Sequence, residues 1–246
     1  MKRLFDIVIS TLGLLVAAPV LLPVMFLIWK QDRHSPFYVA PRVGRNGLAF
    51  NMVKLRSMVV NADKSGVDST GVDDSRITSV GHFIRRYKLD ELTQLWNVLK
   101  GDMSLVGPRP NVKRETDLYT LAEQQLLTVK PGITDFASIV FSDEGDILKD
   151  QVDPDIAYNQ LIRPGKSRLG LFYIEHNNLM LDIQLCLLTL VAIPLRGRAL
   201  LTIQSILHRL GADSSLCELA TRQRPLTPQP PPGGLKVVTS RDGNPF

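Results

Sequence analysis

Asp90 and Glu91 stand side by side in a stretch crowded with cations. Arg85, Arg86 and Lys88 precede them, and Gly107-Pro108-Arg109-Pro110 follows. Two adjacent carboxylates can share a divalent cation, while guanidinium and ammonium groups hold phosphate oxygens. Pro108 and Pro110 restrict their own φ and the residue before each. Arg109 is therefore held between two stiff points, which suits a bidentate anion clamp. Taken alone, the acidic pair is also what a helix start favours through its macrodipole. Arg42, Lys54 and Arg56 form a second basic set. Each by itself reads as solvated surface; together, beside an apolar segment, they can bind a lipid phosphate.

The elements that must position these groups follow from periodicity. Leu89, Leu92, Leu95, Trp96 and Leu99 recur at steps of three and four, which predicts one helix over about 85–100, stopped at Gly101. β-Prone runs at 37–39 and 50–53 flank Asn46-Gly47, a β-hairpin pattern with Arg42, Gly44 and Arg45 on its loop side. Residues 61–76 read as a mobile loop or lid, whose aspartates do not match a calcium loop. Residues 115–129 read as a helix ended by Pro131-Gly132, and 133–141 as β-prone. The acidic turn at 142–146 is a solvated loop or a second metal contact. Residues 179–193 are too short for a span, so a buried or interfacial helix is expected, with another amphipathic helix at 200–210. The proline-rich end is expected to be disordered.

Residues 7–29 carry no charge and are long enough to cross a bilayer core. Pro19 and Pro23 fall inside the run, which predicts a kink. Basic residues flank both ends, Lys2 and Arg3 before and Lys30, Arg33, Arg42 and Arg45 after. The positive-inside rule then keeps both ends in the cytoplasm, so a re-entrant hairpin is expected rather than a plain span. The net charge of +5 is too small to point to nucleic acid and fits an anionic membrane surface. The two cysteines and four scattered histidines give no zinc, disulfide or serine–histidine pattern.

Five stretches carry a resemblance: KRLFDIVIS (2–10), RVGRNG (42–47), KLRSM (54–58), LDELTQLWNVLKGDMSLVGPRP (89–110) and KPGIT (130–134). In this order the chain resembles the bacterial sugar transferases of the monotopic polyprenyl-phosphate phosphoglycosyl transferase family. The resemblance implies a helix-rich α/β (α+β) fold. In it a re-entrant membrane helix broken at Pro19 (1–33), a small β-hairpin and amphipathic interfacial helices surround a compact cytosolic catalytic domain (34–210), with a proline-rich tail (211–246). It implies transfer of a sugar 1-phosphate from a nucleotide diphosphate sugar, a UDP-sugar, to polyprenyl (undecaprenyl) phosphate, through a phosphosugar bound to Asp90. Glu91, with Asp90, would hold Mg²⁺, and Arg85, Arg109, Arg42, Lys54 and Arg56 would meet phosphates. The expected location is the cytoplasmic face of a bacterial inner membrane, in contact with its lipids, as the first membrane step of a surface-glycan pathway; a homo-oligomer is left open. Ala18 replaces the usual serine before Pro19, Ala40 a frequent glutamine, and Asp135 the usual glycine, the last bearing on the acceptor or sugar pocket. Two other readings are a non-catalytic scaffold for a glycan-assembly complex and a single-span enzyme with a multi-pass partner.

Overall fold

The computed structural model describes residues 1–62 and 73–240; most of the expected lid at 61–76 lies outside them. Helix α1 runs Lys2–Asp32 and contains both Pro19 and Pro23. The expected break at Pro19 is not made: the helix is continuous. Each proline removes one backbone donor, while Ala17, Leu21, Val24 and Ile28 pack on Leu55 and Ile84 and hold the segment in place.

A straight helix of 31 residues spans about 46 Å, and the body touches this one at both ends. Near the start, Lys2 Nζ reaches the Asp182 carboxylate at 2.6 Å. Asp6 accepts from Ser104 Oγ (3.1 Å) and from the Leu105 amide (3.0 Å). At the far end Arg56 grips both Asp32 oxygens and donates from Nε to Ser35 O. The outer face, including Leu12, Val16, Leu22 and Phe26, is exposed and apolar.

Strands β1 (Phe37–Val43) and β2 (Ala49–Leu55) form the expected antiparallel hairpin, with Tyr38 opposite Lys54 and Arg42 opposite Phe50. Its turn places Asn46 (φ 58°) and Gly47 (φ 75°) in the left-handed region, which this pair tolerates. Helices α2 (Ser79–Arg86), α3 (Leu89–Leu92) and α4 (Leu95–Lys100) replace the single helix expected over 85–100. Strand β3 (Ser104–Val106) pairs in parallel with β4 (Gly132–Thr134). A Cβ on Gly132 would lie 2.1 Å from the Gly107 amide nitrogen, so glycine is required at the start of β4, where the turn after β3 passes against it.

The expected helix over 115–129 is two short pieces, α5 (Lys113–Thr116) and a 3₁₀ turn at Glu123–Thr128. Tertiary bonding overrides propensity here. Thr120 N donates to Glu123 Oε2 and Glu123 N to Thr120 Oγ1, a reciprocal cap. The β-prone run at 133–141 is likewise mostly helix, α6 (Phe136–Val140). Asp135 caps it, accepting from Ser138 N at 2.7 Å while Ser138 Oγ accepts from Asp135 N. The residue that departs from the family's glycine is therefore a helix cap. Then follow α7 (Glu144–Ile147), α8 (Pro154–Ala157), a π turn at Tyr158–Ile162, α9 (Arg163–His176), α10 (Leu179–Arg209) and α11 (Ser214–Thr221).

By length and composition, α1 and α10 are both apolar enough to cross a membrane. Yet α10 is folded back on itself. Leu195, after Pro194, leaves helical geometry (φ −135°, ψ 52°), and Arg209 Nη2 comes within 3.5 Å of Gln184 Oε1. In a straight helix these residues would stand about 37 Å apart. The two helices expected at 179–193 and 200–210 are its arms. Phe136, Val140, Ile162, Leu169, Leu185, Ile203 and Leu207 form the fully buried centre between α6, α9 and α10.

The C-terminal segment expected to be disordered is seated on the body as far as residue 240. Thr120 Oγ1 donates to Pro232 O, Gln229 N to Gln160 O (3.1 Å), and Gln160 Nε2 to Val238 O (2.7 Å). Val238 is 1% exposed. Burying such a side chain contributes about 1.5–3 kcal/mol. Ending the chain after Arg224 is therefore expected to lower the melting midpoint by several degrees, at roughly 2–4 °C per kcal/mol. Calorimetry checks this, and an unchanged midpoint means that this C-terminal strap, residues 225–240, is not seated in solution.

Candidate active site

The site is made where α3 meets β2 and the turn after β3. The chain enters α3 through Lys88, a non-glycine residue in left-handed geometry (φ 55°, ψ 25°). Tyr87 and Lys88 separate α2 from α3, and Lys88 turns the chain into a new helix at the acidic pair. Beyond α3 the apolar stripe is only partly used: Leu95 and Val98 are buried, whereas Trp96 is 54% exposed. Polar residues do the fixing. Asn97, fully buried, accepts from Val53 N (2.9 Å) and donates to Asn51 O (2.7 Å). Thr93 Oγ1 donates to Val53 O at 3.1 Å. Both sew the acidic segment to β2, which carries Lys54.

Each carboxylate faces its own cation. Arg109 Nη2 lies 2.9 Å from Glu91 Oε1. Lys54 Nζ lies 3.7 Å from Asp90 Oδ2, beyond hydrogen-bond distance, so Asp90 is loosely held. The pair's side chains are 14% (Asp90) and 19% (Glu91) exposed, sheltered but reachable. Burial pulls the Glu91 carboxyl upward, but Arg109, then Lys54 and Lys88, outweigh it and hold the group at about 2. Burial lowers the Lys54 ammonium, as does Arg109, against the pull of Asp90 and Glu91. Arg109 is raised, chiefly by Glu91, against its burial, and further by Glu144.

Lys54, Asp90, Glu91 and Arg109 are thus brought together, and Arg42 is close enough to act on Lys54 while donating to Pro41 O at 3.0 Å. Arg56 is not part of this group, since its guanidinium is committed to Asp32 and Ser35. Arg85 sits in the last turn of α2 and acts on Asp74. Two residues outside the expected set act on this group, Lys88 on Glu91 and Glu144 on Arg109, and Lys166 is ion-paired to Glu144. Glu144 was legible only as part of an acidic turn, and Lys166 as part of the stretch 153–166, which resembles a region that the family places near the substrate.

Among the described residues no three histidine, cysteine or acidic side chains converge as a metal site. Mg²⁺ typically binds through one or two carboxylates and takes its other ligands from substrate phosphates and water. The adjacent Asp90 and Glu91 fit that donor set. An apolar groove of about 340 Å³ lies elsewhere, between the arms of α10.

A profile of the bacterial sugar transferases matches residues 1–196. The chain belongs to the bacterial sugar transferase family. It is 42% identical over 149 residues to the undecaprenyl-phosphate galactose phosphotransferase of Salmonella typhimurium (strain LT2), covering 54% of this chain and 31% of that one. It is 36% identical over 196 residues to the undecaprenyl-phosphate glucose phosphotransferase of Komagataeibacter xylinus, covering 77% and 35%. With the exopolysaccharide production protein ExoY of Sinorhizobium fredii it shares 38% over 148 residues, covering 54% and 66%. The chain thus spans about a third to two thirds of these relatives' length. The family match takes in α1, the hairpin, the acidic pair and the first arm of α10; the second arm, α11 and the strap lie beyond it.

Proposed function

We propose that the chain transfers a sugar 1-phosphate from a UDP-sugar to polyprenyl (undecaprenyl) phosphate, giving polyprenyl diphosphate-sugar and UMP. The observation that carries this reading is the arrangement of Asp90 and Glu91. One is tightly clamped by Arg109; the other is left loose beside Lys54. Asp90 then attacks the β-phosphorus, forming a P–O bond to its carboxylate and breaking the bond to the α-phosphate, with UMP leaving in line. An oxygen of polyprenyl phosphate next attacks the same phosphorus and releases Asp90. Arg109 and Lys54 hold non-bridging oxygens during both displacements, offsetting the repulsion between a carboxylate and an anionic diphosphate. Mg²⁺ held by Glu91 and Asp90 would supply further neutralisation of the diphosphate.

The exposed apolar face of α1, with Lys30 and Arg33 at its end, supports a seat on the cytoplasmic face of the membrane, where a lipid phosphate is found. Both ends of α1 resting on one body favour this over a plain span. The relatives' names support an undecaprenyl-phosphate acceptor and an exopolysaccharide pathway. The test is incubation of the membrane-bound protein with UDP-sugars labelled at the β-phosphate, without lipid. Label on the protein and stoichiometric UMP are expected. If no donor yields UMP, even with polyprenyl phosphate added, the reading fails and a scaffold role stands.

A further inference from the structure

The turn that carries Arg109 is fastened by its backbone carbonyls. Pro108 O accepts from the Gly132 amide at 3.0 Å, and Asn111 O from the Val43 amide at 2.9 Å. Both donors are backbone groups of neighbouring strands, Gly132 in β4 and Val43 in β1. A further fastening comes from a side chain. Val106 O, at the end of β3, accepts from Lys2 Nζ at 3.0 Å. Lys2 also donates to Asp182 Oδ2 at 2.6 Å and to the Tyr173 hydroxyl at 3.0 Å. An ammonium has three hydrogens, so its donors are all engaged. The Tyr173 hydroxyl lies 3.2 Å from Val106 O as well, but it has one hydrogen and a nearer acceptor, Asp182 Oδ1 at 2.6 Å. Lys2 is therefore the side chain that satisfies Val106 O. Val106, Tyr173 and Asp182 are all buried, so water does not stand in for it.

Neighbouring residues of α1 grip the same stretch. Asp6 holds the Leu105 amide and Ser104 Oγ of β3, and Arg3 donates to Leu99 O at 2.7 Å, in the last turn of α4. The start of α1 thus braces the chain from the helix after the acidic pair to the strand that leads into Arg109. A lysine that serves only as the charged flank of an apolar helix keeps its ammonium in water or among head groups. This one places it inside the body, on the carbonyl of the strand residue just before Gly107-Pro108-Arg109. A guanidinium fork holds phosphate only where its backbone is fixed, and a misplacement of about 1 Å costs on the order of 10²-fold in rate. Resting on the reaction proposed above, we propose that Lys2 is a positioning residue for Arg109, fixing through Val106 O the turn that presents the phosphate clamp.

The experiment is a double-mutant cycle on UMP release by the full-length membrane-bound protein, with undecaprenyl phosphate and the UDP-sugar that wild type turns over fastest. Lys2→Met keeps the side chain's length and removes its donors. It is expected to lower kcat/KM by about 10-fold or more, as a misplaced phosphate clamp does. Arg109→Lys keeps a charge at the clamp and loses the fork. In that background Lys2→Met is expected to cost less than about 2-fold, because Lys2 then has no fork left to place. Equal losses in the two backgrounds overturn the proposal and assign Lys2 to the fold or the membrane seat. A folded Lys2→Met with the kcat/KM of wild type overturns it too. Should Lys2→Met fail to fold because it strands Asp182, the pair Lys2→Met with Asp182→Asn leaves Tyr173 an acceptor and is carried through the same cycle with the same expectation. Absence of UMP release by wild type from any donor, or full activity of Arg109→Lys, is a different failure, since it removes the underlying reaction or its clamp.

Discussion

Asp90→Asn is expected to abolish phosphosugar labelling and to lower UMP release by about 10⁴-fold or more, the scale of losing a covalent nucleophile. The substitution keeps the side chain's size and removes its nucleophilic oxygen. Glu91 cannot take over, because Arg109 holds it at 2.9 Å. The fold should be unaffected, since the contact to Lys54 is a loose 3.7 Å. The check pairs a labelling gel and a UMP assay with a melting curve. Loss of label at an unchanged melting midpoint is the expected result. Full activity in the variant would show that Asp90 is not the nucleophile.

Arg163→Ala has the largest expected effect on stability. Its guanidinium donates from Nε to Glu123 Oε1 (2.9 Å), from Nη2 to Glu123 Oε2 (2.5 Å) and Leu118 O (2.7 Å), and from Nη1 to Asn159 Oδ1 (3.1 Å). Glu123 is fully buried, and Ser167 Oγ donates to it as well. Removing one partner strands a buried carboxylate, which costs about 3–5 kcal/mol, or roughly 10 °C in melting midpoint for a chain of this size. Replacing both, as Glu123→Leu with Arg163→Met, should recover most of the loss, since well-packed apolar pairs often equal buried ion pairs. Thermal and urea melts of the single and the double variant beside wild type decide it. A single variant that melts with wild type would mean that the pair holds nothing together.

Much of the site's inventory was legible in the chain itself. Asn46-Gly47 set the hairpin because few other pairs tolerate two left-handed residues in a row. The stretch 89–110 supplied the acidic pair and Arg109 together, because they are close in sequence and stiffened by proline. The apolar run at 7–29 announced a long apolar helix by composition alone.

Other features depended on partners that local periodicity cannot see. Lys88 broke the expected helix, and the new helix is sewn to β2 by Asn97, a polar residue off the apolar stripe. Residues 115–129 gave up a helix to a capping turn and a pairing with Arg163, 40 residues on from Glu123. The two helices expected at 179–193 and 200–210 are the arms of α10, and only the folded chain shows them laid back on each other around Pro194. The charges show the division most plainly. Arg56 and Arg109 look alike in sequence, yet one is spent anchoring α1 through Asp32 and the other grips Glu91. A charge in a sequence states what a residue can bind. Only the folded chain decides which opposite charge reaches it first, because Coulombic partners are chosen by distance in space and by shelter from water.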